Sequence, residues 1–327
     1  MLGDVRPFAV LVPFALALAA CTDAVGDLSR PAADAAPADA GGAGVESGAG
    51  PRRPGALRFA TFNVHRLFDT TCDSGSCGAG AFEEVPSQGA FDRQVAAIAA
   101  GIERLDADVI ALQEIENLRA MSALRDRLAQ DGFAYATTEL GETGAPASVD
   151  VAIFARASQA DVRMHRDALT RPDGSGTTFS RALLEVRATF GARKVVFFAA
   201  HFRSKVDDDP GRRYAEAVRT REIVTAAAKE EPDALVVLGG DLNDEPGSPA
   251  IAALEEGGAL VRVAQDLPSA EQATFVFSGR AIAIDHLFVA PGGVPRYVGK
   301  SAHVVRDGSG GLGGSDHAAL QADFALE

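Results

Sequence analysis

From residue 57 onward, the chain alternates short apolar segments with segments that repeat apolar residues at helical spacing. The short segments are rich in Val, Ile and Phe, and several are almost continuously apolar, as expected for strands covered on both faces. We predict strands at residues 57–64, 108–113, 150–155, 181–189, 194–201, 234–240 and 282–289, and helices within residues 91–105 and 212–229. Because no break in composition follows residue 55, we predict one α/β domain over residues 56–327.

The first 55 residues carry neither pattern. Residues 8–20 form an uncharged apolar run, too short to span a membrane and typical of a signal-peptide core. The run ends in Leu-Ala-Ala-Cys, which resembles the lipobox of bacterial lipoproteins. We predict a lipoprotein-type signal peptide at residues 1–20, lipidation of Cys21 and export to the cell envelope; an ordinary export signal is the alternative. Residues 21–55, almost all Ala, Gly, Pro, Asp and Ser, predict a disordered tether.

Composition and charge narrow the functional classes. The chain is 47% hydrophobic and 23% charged, which is typical of a globular protein with a substantial core. Its formal net charge of −14 argues against a protein that holds nucleic acid by a broad basic surface, because such binding depends on Lys and Arg replacing counterions. An enzyme that binds a few phosphates locally, with the help of a metal ion, remains compatible with this charge.

Two further cysteines, Cys72 and Cys77, lie in a loop rich in Gly and Ser. An exported protein meets an oxidising compartment, which favours a disulfide between them. A zinc site is the alternative, but two thiols without a nearby pair of histidines make a poor ligand set.

Polar side chains follow several of the predicted strands at the point where each strand ends. These residues are Asn63, Glu114, His201, Asp241, Asn243 and Asp285, and a further pair, Asp316 and His317, follows a Gly-rich loop. Strand ends on one side of a sheet are close in space, so we expect these side chains to converge. Each alone is explained as a turn residue, a loop cap or a structural histidine, but all these explanations would have to hold at once.

Carboxylate and amide oxygens in this set suit a hard divalent cation, Mg²⁺ first, with Mn²⁺ or Ca²⁺ possible. A cation at such a site neutralises charge on a phosphate as water attacks, and an Asp or a His held by a carboxylate activates that water. The pattern therefore indicates metal-dependent hydrolysis of a phosphoester.

Seven segments carry a family resemblance. FATFNVHRLFD, ALQEIEN, VDVAIFAR, AHFRSK, GGDLND, AIDHLFVA and GGSDHAAL occur in this order and resemble the endonuclease/exonuclease/phosphatase superfamily, which includes pancreatic deoxyribonuclease. The resemblance spans about residues 57 to 326. It implies a four-layer α/β sandwich, in which two mixed β-sheets are flanked by helices. The chain would be a secreted, lipoprotein-type member.

The resemblance also implies roles for matching residues. Asn63, Glu114 and Asp316 match the metal site, whereas His201, Asp241, Asn243, Asp285 and His317 match catalytic residues. His317 would contact the scissile phosphate while Asp285 holds its imidazole. Asp241 would orient or deprotonate the water, Asn243 would bind a phosphate oxygen, and His201 would be an acid for the leaving oxygen.

Several basic residues could contact further phosphates of a substrate. Arg203 and Lys205 follow the predicted catalytic histidine directly, and Arg181 resembles an arginine of the family. Four more arginines lie on the next predicted helix, where a solvated helix face explains them equally well: Arg212, Arg213, Arg219 and Arg221.

The chain also departs from the family pattern. Arg66 stands where nuclease relatives more often have Asn, and His65 adjoins the predicted metal site. The absence of Trp leaves few aromatic platforms for stacking bases.

Three functions follow, in order of preference. The first is an exported nuclease, monomeric, with DNA or RNA as substrate and a lipid anchor in the membrane. The second is a phosphatase or phosphodiesterase that acts on small phosphoesters or lipid head groups, which the charge of −14 favours. The third is a non-catalytic surface-binding lipoprotein, which the intact set of acidic and histidine residues disfavours.

Overall fold

A computed structural model of the chain describes residues 50–78 and 80–327; the predicted signal peptide, Cys21 and the tether up to residue 49 lie outside the described residues. The described strands, in chain order, are β1 (Ala56–Leu67), β2 (Val109–Ile115), β3 (Thr137–Leu140), β4 (Asp150–Ala155), β5 (Gln159–His165), β6 (Ala168–Thr170), β7 (Gly176–Thr178), β8 (Leu183–Phe190), β9 (Arg193–His201), β10 (Leu235–Asp241), β11 (Val261–Arg262), β12 (Phe275–Phe277), β13 (Arg280–Ile282), β14 (Asp285–Val289), β15 (His303–Val305) and β16 (Ala319–Ala325). The described α-helices are α1 (Gln88–Leu105), α2 (Leu118–Gln130), α3 (Pro210–Glu230) and α4 (Pro249–Glu255).

Most strands belong to two six-stranded mixed sheets. The first has the order β15-β16-β1-β2-β4-β3, with β1 parallel to β2 and antiparallel to β16. The second has the order β11-β14-β10-β9-β8-β5, with β10 parallel to β9 and antiparallel to β14. Two small hairpins, β6-β7 and β12-β13, lie apart from these sheets.

The hydrophobic core forms three layers, which explains the nearly continuous apolar strands. Between the sheets, Phe59 of β1 lies 5.3 Å, centroid to centroid, from Phe197 of β9. On its opposite face, β1 buries Phe62 in a cluster with residues of α1 and α2. The helices α3 and α4 cover the outer face of the second sheet in the same way. The predicted four-layer sandwich is therefore confirmed.

Polar caps fix where the helices begin. Ser87 accepts a hydrogen bond from the backbone of α1, and Asn117 accepts two from the first turn of α2. Asp209 caps α3, which has Pro210 at its first position, where the missing N–H costs nothing. Among residues 50–78 and 80–327, no helix is both long and apolar enough to cross a membrane.

The structure corrects some sequence-based boundaries. The strand predicted at residues 282–289 begins only at Asp285, because Ile282 pairs with Phe275 in the hairpin β12-β13. Residues 50–55 were assigned to the tether, yet Arg52 pairs with Asp106 and Asp108 on the folded domain. Contacts with the folded domain therefore extend to Arg52, while the boundary at residue 56 stays a prediction. Several edge strands and the helices α2 and α4 were not predicted.

Candidate active site

The polar residues predicted at strand ends converge at one edge of the two stacked sheets. Asp241 ends β10 and pairs in register with two neighbours, His201 at the end of β9 and Asp285 at the start of β14. Because β14 runs antiparallel to β10, its first residue reaches the same edge as the last residue of β10. From the first sheet, Asn63 of β1 and Glu114 of β2 face this group.

Asn63 joins the two sheets through its side-chain amide. Its Nδ2 donates hydrogen bonds to Glu114 Oε1 at 3.1 Å and to Asp241 Oδ2 at 3.0 Å. Its Oδ1 accepts the backbone N–H of His65 at 3.0 Å. Asn63 is fully buried, so this network fixes the positions of both carboxylates. Direct metal ligation by Asn63 stays a prediction, because here its amide oxygen has a backbone partner.

Asp241 combines burial with crowding by another acid. Burial and the charge of Asp285 raise the pKa of Asp241 to about 7. Its Oδ1 accepts the backbone N–H of Asn243 at 2.9 Å. His201 lies beside it, with Nε2 3.6 Å from Asp241 Oδ2, and burial together with the Arg181 charge holds the pKa of this histidine well below its usual value. Burial thus favours the uncharged form of both His201 and its neighbour Asp241.

His317 and Asp285 form a buried ion pair. His317 Nδ1 lies 2.9 Å from Asp285 Oδ2, and the ring stacks against Phe275 at 4.6 Å between centroids. Burial alone would lower the pKa of His317, but Asp285 and the neighbouring carboxylates raise it to about 10. Thr274 Oγ1 accepts the backbone N–H of Asp285 and so holds the strand end in place. This geometry produces a fixed imidazolium at the site.

Two residues of the site were not assigned a role from the sequence, His65 and Arg66. His65 Nδ1 pairs with Asp316 Oδ1 at 2.9 Å, and this contact raises the pKa of His65 and lowers that of Asp316. The backbone N–H of Arg66 donates to Glu114 Oε2 at 2.9 Å. The only signal available in the sequence was their position directly after Asn63 in the motif.

Backbone strain is concentrated here. His65, Arg66, Glu114 and Asn243 all have positive φ, at 56°, 48°, 68° and 53°, which side-chain-bearing residues rarely adopt. Such conformations cost about 1–3 kcal/mol each and occur where the surrounding structure enforces them, often at functional sites. Glu114 lies at a register shift between β2 and β4, and the side-chain amide of Asn243 donates to the carbonyl of Phe202 at 3.2 Å.

The predicted phosphate-binding residues divide into two groups. Lys205 pairs with Asp244 at 3.0 Å, and Arg203 donates to the carbonyls of Val206 and Asp207. Arg181 is held by the carbonyls of Val149 and Phe202, and the charges of Glu114 and Asp241 act on it. Arg181 therefore lies next to the carboxylates, whereas Lys205 is engaged by its own salt bridge.

The arginines of α3 also differ from one another. Arg213 is buried against Asp208 and Asp244. Arg219 and Arg221 pair with carboxylates outside the cleft, Arg219 with Asp167 and Glu222 and Arg221 with Glu256. Only Arg212 lines a cavity of about 470 Å³, together with Phe82, Phe179, Arg166, Arg181 and Arg203. Four arginines and one acid, Asp150, thus line one open cavity that shares Arg181 with the carboxylate site.

The donor atoms suit a hard divalent cation. Carboxylates of Glu114, Asp241, Asp285 and Asp316 meet at this edge, and the buried Oδ1 of Asp285 has no hydrogen-bond partner. The closest donor set, from Asp241, Asp285 and His317, lies within 4.8 Å. His317 is already committed to Asp285, whereas the side chains of Glu114 and Asp316 are 18% and 46% exposed, so a cation from solvent can reach these two carboxylates. A bound cation would polarise a phosphate oxygen and neutralise charge on it.

Comparison with known proteins agrees with this geometry. Residues 60–317 match the model of the Endonuclease/Exonuclease/phosphatase family. The chain belongs to this family. Family membership explains why the motifs read from the sequence converge, since the matched residues run from β1 to His317. No curated protein matches the sequence significantly.

Solved structures of this family share the fold at low sequence identity. Truncated TDP2 from Caenorhabditis elegans is 18% identical, with a TM-score of 0.57 over 83% of this chain and 98% of that chain. The human Nocturnin catalytic domain with bound sulfate anion is 15% identical, with a TM-score of 0.58 over 82% and 94%. A family protein from Bacteroides vulgatus is 19% identical, with a TM-score of 0.58 over 83% and 99%. These likenesses establish the two-sheet fold.

Proposed function

We propose that this protein is an extracytoplasmic, divalent-metal-dependent phosphodiester hydrolase, and that its preferred substrate is a nucleic acid. The observation that carries the proposal is that the buried Asp241 carboxyl group and the buried His317 imidazole, which lies 2.9 Å from Asp285, meet at one edge of the sheets. Hydrolysis of a phosphodiester needs both a proton acceptor for water and a positive group for the phosphate. The cation would be Mg²⁺, with Mn²⁺ or Ca²⁺ as alternatives.

Asp241 is the residue that positions and deprotonates the attacking water. Its Oδ1 is held by the backbone of Asn243 and its Oδ2 by Asn63, so the carboxylate cannot rotate. A base works best when its pKa lies near the working pH, and burial brings Asp241 to about 7.

His317 holds the phosphate. The charge of Asp285 keeps its imidazole protonated, and Nε2 is the nitrogen left for substrate because Nδ1 is paired. His201 is neutral and lies between Asp241 and Glu114, 3.6 Å and 3.9 Å away, so it orients these carboxylates or exchanges a proton with the leaving oxygen.

The arginine-lined cavity favours a substrate that carries more than one phosphate. Arg166, Arg203 and Arg212 line the same cavity as Arg181. Arg181 in turn lies close enough to the carboxylates of the site for their charges to act on it. Guanidinium groups bind phosphate through paired hydrogen bonds, so this cavity suits the next phosphate along a strand. Its volume of about 470 Å³ also accommodates a small polyphosphorylated molecule, which keeps a small-phosphoester hydrolase as the second candidate.

Location in the cell envelope is part of the proposal. It rests on the apolar run at residues 8–20, the lipobox-like Cys21 and the disulfide between Cys72 and Cys77, which suits an oxidising compartment. A lipid on Cys21 would hold the enzyme at a membrane. Mass spectrometry of the protein purified from its membrane fraction would detect that lipid.

The test compares four substrates with the full chain in Mg²⁺ or Mn²⁺: plasmid DNA, RNA, a generic phosphodiester and a phosphomonoester. We expect diester cleavage, lost with EDTA and reduced at least about 100-fold by Asp241→Asn and by His317→Asn. Asp92→Asn, on the exposed face of α1, is the matched control and should retain full activity.

Two outcomes would change the conclusion. Activity that survives both Asp241→Asn and His317→Asn would exclude the proposed site. Turnover of the monoester without turnover of any diester would replace the nuclease with the small-phosphoester hydrolase.

A further inference from the structure

A second group of acidic side chains lies beside the disulfide loop, outside the catalytic machinery. Asp69 follows β1, Glu116 follows β2, and Asp73 and Glu83 lie in the loop between β1 and α1. Donor oxygens of Asp69, Asp73 and Glu116 lie within 4.8 Å of one another. Glu83 accepts the backbone N–H groups of Asp73 and of Ser74, so the loop folds around these carboxylates.

Glu116 is the member of the acidic group that has one buried carboxylate oxygen without a hydrogen-bond donor. Its side chain is 2% exposed, and its Oε2 accepts the backbone N–H of Asp69 at 2.7 Å. Its Oε1 is buried and accepts no hydrogen bond from an N–H or O–H group of the described residues, and only a proton shared with the carboxylate of Glu83 could give it a partner within the protein. A buried acceptor left in this state costs free energy unless a ligand binds it. The geometry therefore points to a positive species at Glu116 Oε1.

The protein places little positive charge beside this group of carboxylates. Arg119 is the cation paired with these carboxylates in the described part of the chain, with Nε 2.9 Å from Asp69 Oδ2 and a longer contact of 3.5 Å to Asp73. Its side chain is 60% exposed, so the pairing is screened by water. One guanidinium facing four carboxylates leaves an excess of negative charge.

We propose that Asp69, Asp73 and Glu116 bind a structural calcium ion. All three donors are carboxylate oxygens, which exclude soft metals. Calcium accepts six to eight oxygens in variable geometry, whereas magnesium demands a near-ideal octahedron and is usually held by one or two carboxylates. Because Asp73 is exposed, water reaches the open side of the site and completes the coordination.

Such an ion would join three parts of the fold. It would tie the end of β1 to the end of β2 and would fix the loop that contains Cys72 and Cys77. Glu116 is two residues from Glu114 of the active site, and Asn117 between Glu116 and α2 caps that helix while donating to Asp69 and Asp73. The calcium site is distinct from the catalytic cation site and does not depend on the proposed activity.

Calcium alone is the probe. The full chain carrying Glu114→Gln, which removes a carboxylate of the catalytic site, is treated with EDTA, desalted and titrated with CaCl₂ by calorimetry. We expect one bound calcium ion and a rise in melting temperature at saturation. Adding Glu116→Gln, which preserves the shape of the side chain, should weaken calcium binding at least about tenfold, since even indirect partners of a metal contribute 10–100-fold.

Three further variants make the test decisive. Asp73→Asn, at the exposed rim, should weaken binding without threatening the fold. Arg119→Gln should tighten binding, because the guanidinium competes with calcium for Asp69. Glu222→Gln, which removes a charge on α3 instead, should leave binding unchanged.

The proposal fails if calcium does not bind, or if it binds equally well in the presence and absence of Glu116→Gln. It also fails if Arg119→Gln destabilises the protein and calcium does not restore the melting temperature, because Arg119 would then be the neutralising group. Equal affinity for magnesium would overturn the assignment of calcium.

Discussion

At the scale of single residues, burial is common to the groups of the site, but their neighbours determine their charge. His201 and His317 are both buried, yet the pKa of His201 is lowered by burial beside Arg181, whereas Asp285 raises the pKa of His317 to about 10. Asp241, buried beside Asp285, is raised to about 7. Pairs of titratable groups whose environments separate their pKa values divide acid, base and electrostatic roles between them. The site thus combines an imidazole whose pKa is raised, an imidazole whose pKa is lowered and a carboxyl group whose pKa is raised.

Replacing Asp285 tests the origin of the imidazolium. In Asp285→Asn, burial acts on His317 with less opposing charge, so its pKa should fall from about 10 to near or below its usual value. Diester cleavage at neutral pH should drop at least about 100-fold. NMR titration of the EDTA-treated full chain measures the pKa, and Asp92→Asn serves as the control. Lost activity with an unchanged pKa of His317 would show that Asp285 acts on something else.

His286 makes stability depend on pH outside the catalytic step. Burial lowers its pKa from 6.5 to about 4, and its Nε2 lies 2.9 Å from the carbonyl oxygen of Asp244. Below pH 6.5 His286 becomes protonated in the unfolded chain, whereas in the folded chain it stays neutral until the pH reaches about 4. This contribution to stability is therefore present above pH 6.5 and is lost as the pH falls toward 4.

The corresponding substitution is His286→Gln, which keeps a donor but does not titrate. Between pH 7 and pH 4.5 the parent should lose about 2 to 3 kcal/mol more of its free energy of unfolding than this variant. Urea unfolding at the two pH values measures both losses. Equal losses in parent and variant would contradict a buried neutral His286.

At the scale of elements, the sequence predicted the strands that are covered on both faces. The strands β1, β2, β4, β9 and β10 are buried over most of their length and mainly apolar there, because each contacts the core on two sides. The missed strands include β3 and β5, each at an edge of its sheet, where polar residues intervene. β14 was placed too early because the apolar residues before it belong to a hairpin and a short link. Local pattern cannot distinguish these cases from a longer strand.

Site residues whose positions follow from the register of neighbouring strands were predictable, whereas contacts between residues of distant loops were not. Residues at strand ends were predictable because the register of β9, β10 and β14 brings His201, Asp241 and Asp285 to one edge. The contact between His65 and Asp316 was not, since it depends on how two loops meet across the sheet. The arginine-lined cavity likewise assembles residues from separate loops and helices.

The pairing of β1 with β16 depends on a buried ion pair. Arg58 and Asp323 face each other in register, with Nε 2.7 Å from Oδ1, and both side chains are 3% exposed. Arg58→Met leaves an uncompensated buried carboxylate and should cost about 3–5 kcal/mol, whereas Arg58→Met with Asp323→Leu should cost clearly less. Urea unfolding of the single and double variants measures this difference. Equal costs would show that the hydrogen bonds of Arg58 to backbone carbonyls, not the ion pair, dominate.

At the scale of the whole molecule, the fold places a small positive cavity on a strongly negative protein. The formal net charge is −14, while four arginines line the cavity beside the carboxylates. A long polyanion is repelled by the total charge and attracted only at short range. A small diester interacts mainly with the charges of the site and is little affected by the total charge of the protein.

Varying the ionic strength distinguishes the long-range repulsion from the short-range attraction. The screening length is about 30 Å at 0.01 M salt and about 8 Å at 0.15 M, so added salt removes the long-range repulsion before it weakens contacts inside the cavity. We therefore expect kcat/KM for plasmid DNA to rise between these concentrations, while that for a generic diester changes little. Arg166→Gln should lower the rate on DNA at both concentrations without reversing the trend, because it removes a local contact and leaves the total charge negative. A steep fall in DNA cleavage with salt would instead require an extended basic surface, which the acidic composition of the chain argues against.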